Sequence, residues 1–310
     1  MSIAPGYFDY PRRRPGLDHD RFEHRYLMTG KPGRWPNGKA VALCISAPVE
    51  FFPMDMPRAP LNPPGGMERP GASFWDFTLR DYGNRVGIYR LIRSFKGAGV
   101  RATAAMNAEV ATRYPFLLEK LLEHDWEIAA SGLDMGNLHH GGVPEARERE
   151  LVEQSFDILR RESGQPVKGW FSPAQSQSKV TPDLVARSGG IYLSDFSNDD
   201  APYWMNASGG RIVSLPLTYE LSDRRFLFLQ NQPLDQWEAQ NVEAMDYLVA
   251  EAREKGARMF SFSVTPWIIG QPYRMAALER VLERLVSHSD VWVATGTEIA
   301  EAWAAMDTSA

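Results

Sequence analysis

The strongest constraint on this chain is a short apolar run that recurs without polar alternation. Val41-Ala42-Leu43-Cys44-Ile45-Ser46 is the first. Arg101 to Met106, Trp126 to Ala130, Val167 to Phe171, Ile191 to Ser194, Ile212 to Leu215, Arg258 to Val264 and Val291 to Ala294 follow it. Runs of this kind suit strands covered on both faces, as in parallel sheets and barrels. Helical patterns lie between them. Val86, Tyr89, Ile92 and Phe95 mark one helix face, stopped by Gly97 and Gly99, and Phe116 to His124, Pro144 to Ser163, Thr181 to Ser188, Gln236 to Lys255, Tyr273 to Val286 and Thr297 to Met306 read as further helices. Strands alternating with helices predict an α/β fold, a (β/α) barrel of about seven to eight strands. An open doubly wound sheet is the rival, but no glycine-rich phosphate turn follows any of the strands.

Two regions stand outside the alternation. Residues 1–38 carry Pro, Gly and aromatic residues without periodicity and read as an N-terminal arm, with residues 39–310 as one barrel domain. Phe51 to Gly83 reads as a long structureless loop, rich in proline and too aromatic for a linker, of the kind that serves function or an interface. The 34 Lys and Arg against 39 Asp and Glu leave a charge of −5 without basic runs, which argues against nucleic acid as a partner. Arg12-Arg13-Arg14 is the exception, read as a solvated arm or a subunit contact. No apolar stretch is long enough to span a bilayer, and Met1 to Lys31 lacks the apolar core of a signal peptide, so a cytoplasmic protein handling a small molecule is expected, with no membrane partner. A single cysteine, Cys44, excludes an internal disulfide and a cysteine-based zinc site, and of six histidines only His139 and His140 are close neighbours.

In a barrel the chemistry collects on the loops after the C-terminal strand ends. Those loops hold Ser46 to Glu50, then Asn107 and Glu109, then Ser131 to Gly142 with Asp134, His139 and His140. Ser172 to Ser178, Asp195 to Asp200 and Thr265-Pro266-Trp267 follow. Polar residues after buried strands point to a common rim.

The segments Asp81 to Gly87, Ala108 to Pro115, Lys168-Gly169-Trp170, Ser194-Asp195 with Asn198 to Tyr203, and Ile269 to Arg274 occur in an order that resembles the polysaccharide deacetylase (NodB-homology) superfamily. The likeness is nearer to its metal-independent amidohydrolase branch of PuuE-type allantoinases and cyclic imide hydrolases. It runs from Arg34 to the end of the chain and implies a distorted barrel, a hydrolase and a homo-oligomer, dimer or tetramer. Metal-dependent members carry paired aspartates after the first strand, a His-x-x-x-His pair after the third, an arginine near the fourth and a late histidine. Here Ser46 and Ala47, Ser131 and Met135, Ser172 and Thr265 stand at those places. Glu50 stands where PuuE-like members carry a glutamate.

Glu50 is therefore a candidate general base or substrate anchor, and His139 or His140 a candidate acid or base, since imidazole titrates near neutrality. The plainer reading of each is a loop-capping group, and neighbouring histidines in an extended segment face opposite ways. Asp195, at a strand end, can orient a base or bind an N–H, whereas Asp199 and Asp200 read better as turn caps. Ser131 and Ser172 are candidate oxyanion donors, Trp170 and Trp267 candidate walls for a flat ring, and Arg274 a candidate anion contact, although core packing and surface ion pairs are the commoner uses of such residues. Asp134 is a substrate-binding candidate; with His139 it is a minority candidate for a divalent ion such as zinc. The expectation is a hydrolase of a carbon–nitrogen bond, other than a peptide bond, in a small cyclic amide, with no cofactor. Two alternatives stand beside it: a metal-dependent N-deacetylase of a sugar or polysaccharide, a role in carbohydrate metabolism, and a catalytically altered member that binds a ligand or joins an assembly.

Overall fold

A computed structural model describes residues 3, 5–7, 9, 18–29, 33–54 and 74–307. Arg12 to Arg14 lie outside the described residues, as does most of the proline-rich loop. The first strand, β1 (Val41–Val49), leads to α1 (Phe74–Tyr82), a π-helical turn over Gly83–Gly87, and α2 (Ile88–Gly97). Then come β2 (Thr103–Met106), α3 (Ala108–Arg113), α4 (Pro115–Leu122), β3 (Glu127–Ala130), α5 (Glu145–Ser163), β4 (Gly169–Trp170), α6 (Thr181–Arg187) and β5 (Tyr192–Leu193). A hairpin of β6 (Tyr203–Ala207) and β7 (Gly210–Ser214) precedes a second π-helical turn, Arg224–Leu229, and α7 (Leu234–Lys255). The chain closes with β8 (Arg258–Ser263), α8 (Pro266–Ile269), α9 (Met275–Val286), β9 (Val291–Val293) and α10 (Gly296–Asp307).

The strands form one sheet in the order β6-β7-β5-β4-β3-β2-β1-β8, parallel except for the β6–β7 hairpin. β1 is its hinge. Its register with β8 runs from Val41 against Arg258 to Ser46 against Ser263, while β9 and then β2 share its other edge. The sheet curls into a distorted barrel closed without a strand ladder. The far edge of β8 donates Met259 N–H to the Asp200 carbonyl at 2.8 Å and Ser261 N–H to Thr218 Oγ1 at 3.1 Å.

Two structural findings depart from the sequence reading. The presumed structureless stretch Phe51 to Gly83 contains helix α1, whose Phe74 and Trp75 are exposed, so the long apolar loop hid a helix that propensity alone does not reveal. Strand β6 was not anticipated either. Of its residues only Met205 is buried, and only the Ser208-Gly209-Gly210 turn, with Gly209 at φ 87°, marks the hairpin in sequence.

Side-chain alternation within the strands builds two different interiors. In β1, Leu43, Ile45, Ala47 and Val49 face the outer helices, whereas Ala42 and Cys44 face inward among small residues such as Ala105 and Ala129. Trp35 plugs this inner core from below, its indole N–H donating to the Arg258 carbonyl at 2.6 Å. Burial pushes the Cys44 thiol up to about 12, so the lone cysteine is an inert filler and not a nucleophile.

Candidate active site

Above Cys44 the same inward face of β1 continues as Ser46, Pro48 and Glu50, and there the apolar core gives way to a cavity of about 250 Å³ at the C-terminal strand ends. β8 does the same: Phe260 and Phe262 face the helices while Ser261 and Ser263 face the cavity. Ser131, Ser172, Ser194, Thr218, Ser222 and Thr265 complete a wall of hydroxyls. Among the described lining residues Glu50 and Arg224 are the only formal charges, and they pair, with Arg224 Nη2 donating to Glu50 Oε2 at 2.5 Å. Glu50 is 8% exposed, so water screens this pair little.

A second carboxylate stands behind the wall. Asp195, at the end of β5, accepts the Ser172 amide at 2.6 Å on Oδ1 and the Ser172 hydroxyl at 2.7 Å on Oδ2. The Trp170 indole donates to Ser172 Oγ at 3.0 Å. The hydroxyl is thus oriented by one donor and one acceptor, and it faces the cavity. Burial lifts the Asp195 carboxyl to about 6, against the two Ser172 hydrogen bonds that favour its ionised form.

A third carboxylate fixes the wall opposite. Asp223, fully buried, accepts Thr265 N–H at 2.8 Å on Oδ2, while its Oδ1 has no partner among the described residues. Burial lifts it to about 7, with the Thr265 hydrogen bond and the neighbouring Arg224 acting against the rise. This contact ties the turn Arg224–Leu229 to the segment after β8. Trp267, next along, packs edge-on to Phe228 at 4.9 Å, and the Arg224 guanidinium lies 5.9 Å from its ring centre. The helix carrying Trp267 is seated by glycines: a Cβ on Gly87 or on Gly270 would lie 2.0 or 2.2 Å from the Pro266 carbonyl oxygen. No side chain other than hydrogen fits there.

The predicted residues separate into three groups. Glu50, Ser131 and Ser172 line the cavity. Asp195 and Trp170 stand directly behind Ser172, and Trp267 flanks Arg224. Asp134, His139, His140 and Arg274 are used elsewhere. Asp134 Oδ1 accepts the amides of Gly136 and Asn137, closing an Asx turn. His139 is wholly buried, with Nδ1 3.4 Å from Glu148 and its ring edge-on to Trp170, and His140 Nδ1 accepts the Gly142 amide. Arg274 donates to the Ile268 carbonyl at 2.8 Å, anchoring α8. Asp199 caps the Ala201 amide and pairs with Arg25, a turn role.

Asp223 and Arg224 were not singled out from the sequence, because residues 217–230 carry no periodicity. A signal exists in Ser222-Asp223 standing before the apolar run Phe226-Leu227-Phe228-Leu229, after a strand and therefore at the rim.

A metal ion is what the family resemblance brings to this place, and the donors do not fit one. Among the described residues no three His, Cys, Asp or Glu side chains converge. The cavity offers neutral hydroxyls and one carboxylate already paired with a guanidinium, whereas zinc takes about three nitrogen, thiolate or carboxylate ligands. Ser46 Oγ, buried and lining the cavity, has no partner among the described residues. No helix among the described residues is long and apolar enough to cross a membrane.

Comparison with known proteins places these features. No family model matches the chain. A polysaccharide deacetylase homologue of Schizosaccharomyces pombe is 24% identical over 241 residues, covering 73% of this chain and 75% of that protein. The crystal structure of PuuE allantoinase superposes with a TM-score of 0.80 at 27% identity, over 96% of this chain and 98% of its own. A probable polysaccharide deacetylase of Pseudomonas aeruginosa PAO1 superposes at 0.78, also at 27% identity, over 95% and 98%.

Proposed function

We propose that this chain, which is similar to a polysaccharide deacetylase homologue and to the structure of PuuE allantoinase, hydrolyses a carbon–nitrogen bond in a small cyclic amide without a metal ion. The observation that carries the reading is the hydroxyl-lined cavity with its oriented Ser172–Asp195 pair. An amide resists hydrolysis because water is a poor nucleophile and the nitrogen a poor leaving group, so the site must accept one proton and return another. Asp195, held near 6, has the basicity for that exchange at neutral pH. Ser172 Oγ, touching both the cavity and Asp195, relays the proton from the attacking water and later returns it to the departing nitrogen. His139 is wholly buried and is not among the described residues that line the cavity, and the Glu50 carboxylate is committed to Arg224, which favours Asp195 as the proton acceptor.

The cavity suits a compact ligand: it holds about 250 Å³, and its hydroxyls are interleaved with the apolar side chains of Pro48, Ala105, Phe171, Leu217 and Leu229. That favours a ring amide over an extended polysaccharide chain. We place the protein in the cytoplasm, acting as a homo-oligomer on a small-molecule substrate. Incubation with allantoin, hydantoin and succinimide, each with and without a chelator, tests the assignment. Turnover of one of them unchanged by chelation is expected. Strict metal dependence would return the protein to the deacetylases, and absence of turnover on all three would favour a ligand-binding role.

A further inference from the structure

We propose that Arg224 forms an anion seat in this cavity, its guanidinium receiving the oxyanion of the attacked carbonyl and then the product carboxylate. The inference rests on the hydrolase reading for its catalytic half, while carboxylate binding is a separate property. Four observations carry it. Arg224 is the only cationic side chain among the described residues that line the cavity. Its one hydrogen bond among the described residues uses Nη2 toward Glu50, and its buried Nε has no partner. A guanidinium has five N–H donors in a fixed plane, so most of its binding capacity is unspent. Its position is built: the turn Arg224–Leu229 is pinned to the segment after β8 by Asp223 and Thr265, and the guanidinium is flanked by the Trp267 ring. Finally, Ser46 lines the same cavity and its buried Oγ has no partner among the described residues, so a second hydroxyl donor stands uncommitted there.

The reaction balances without a further reagent. The water oxygen bonds to the carbonyl carbon and the carbonyl π electrons move to oxygen, where the Arg224 N–H groups hold the charge. The water proton passes through Ser172 Oγ to Asp195. The carbon–nitrogen bond then breaks, its electron pair going to nitrogen, which takes the proton back from Asp195 through Ser172. The oxyanion closes to a carbonyl and the acid ionises, leaving a carboxylate beside Arg224. A fixed cation is worth more than a mobile one because it is already oriented when the charge appears. Glu50 balances that cation in the empty cavity and competes with any entering anion, which gives the two partners opposite effects.

The test measures dissociation constants of acetate and of neutral acetamide by NMR titration, beside turnover of the ring amide. Wild-type protein should prefer acetate, and Arg224→Ala should abolish the preference. Glu50→Gln should tighten acetate roughly tenfold, the scale of one lost competing charge contact. In turnover, Arg224→Ala should lower kcat by about 10²-fold or more with a small change in KM, and added guanidinium ion should restore part of it. Arg224→Ala leaves Glu50 buried and unpaired, a change that by itself costs stability, so the double variant Glu50→Ala/Arg224→Ala is read in parallel and should also show no acetate preference. No acetate preference in the wild type, retention of it in the folded double variant, or weaker acetate binding in Glu50→Gln overturns the proposal. Wild-type protein that binds acetate through Arg224 but turns over no amide overturns the hydrolase reading and leaves the anion seat standing.

Discussion

The two ends of the barrel differ in how fully they satisfy their polar groups. At the N-terminal end, Glu127 of β3 is saturated: Oε1 accepts the Tyr192 hydroxyl at 2.9 Å and the Thr297 hydroxyl at 2.6 Å, and Oε2 accepts the Thr103 hydroxyl at 2.8 Å. The Thr297 amide, in the first turn of α10, reaches both oxygens at 3.2 Å, where a carboxylate also complements the helix dipole. At the C-terminal end, Ser46 Oγ, Asp223 Oδ1, Arg224 Nε and Trp267 Nε1 are buried without partners among the described residues. Buried polar atoms are costly unless paired, so an end that leaves several unpaired is less stable than it need be. Arg258 Nη2 and Trp303 Nε1 are unpaired among the described residues toward the N-terminal end as well, so the difference is one of degree: the lower end is the better satisfied, and the upper end gathers its unpaired groups around a cavity.

That contrast can be broken at either end. The largest effect is expected from Asp195→Asn, which should lower kcat by about 10²–10⁴-fold, the usual worth of a general acid–base group, while leaving the fold intact. The wild-type pH–rate profile should rise through an apparent pKa near 6, because the base must be ionised, and the variant should lose that limb. Full activity in Asp195→Asn would show that the upper carboxylate is as structural as the lower one.

Glu127→Ala should produce the reverse pattern. It strips three hydroxyls and a helix N-terminus of their common acceptor, and hydrogen bonds to a charged group are worth about 1.5–3 kcal/mol each. Thermal unfolding should drop by several degrees, with kcat of the folded protein unchanged.

A smaller, pH-dependent effect is expected at Asp223. Its folded pKa, near 7, lies above the ordinary carboxylate value, so ionisation opposes folding. The contribution of the protonated acid is complete below about pH 4 and is lost as the pH rises through 7. Asp223→Asn, which cannot ionise, should therefore be more stable than the wild type at pH 8, by on the order of 1 kcal/mol or more, and the difference should vanish at pH 4. Denaturant titration at the two pH values reads this directly. The smallest effect belongs to Arg274→Ala, which loses one hydrogen bond to the Ile268 carbonyl and should cost about 1 kcal/mol of stability with little change in KM.

Much of the architecture was legible beforehand. The eight apolar runs all contain strands of the sheet, because strands covered on both faces cannot carry the polar alternation of an exposed surface. The rim was legible for the same reason, and three of the ten predicted site residues line the cavity. His139 and His140 were not separable by sequence from ligand-facing histidines. Whether an imidazole meets solvent, a cavity or Glu148 depends on a helix, α5, that reaches it only after the chain has folded. Arg224 was invisible because its turn is π-helical, a geometry with no periodic signature, and its meaning comes from Glu50, 174 residues away.

By itself the sequence determined the alternation of strands and helices, the end of the barrel on which polar residues gather, and the scarcity of metal-binding side chains, since each follows from residue type and local spacing. Only the tertiary structure decided which carboxylate keeps company with which donor. Glu50 meets a guanidinium, Asp195 a serine hydroxyl and Asp223 a backbone amide, and their different chemistry comes from those long-range partners and from the depth at which each is buried.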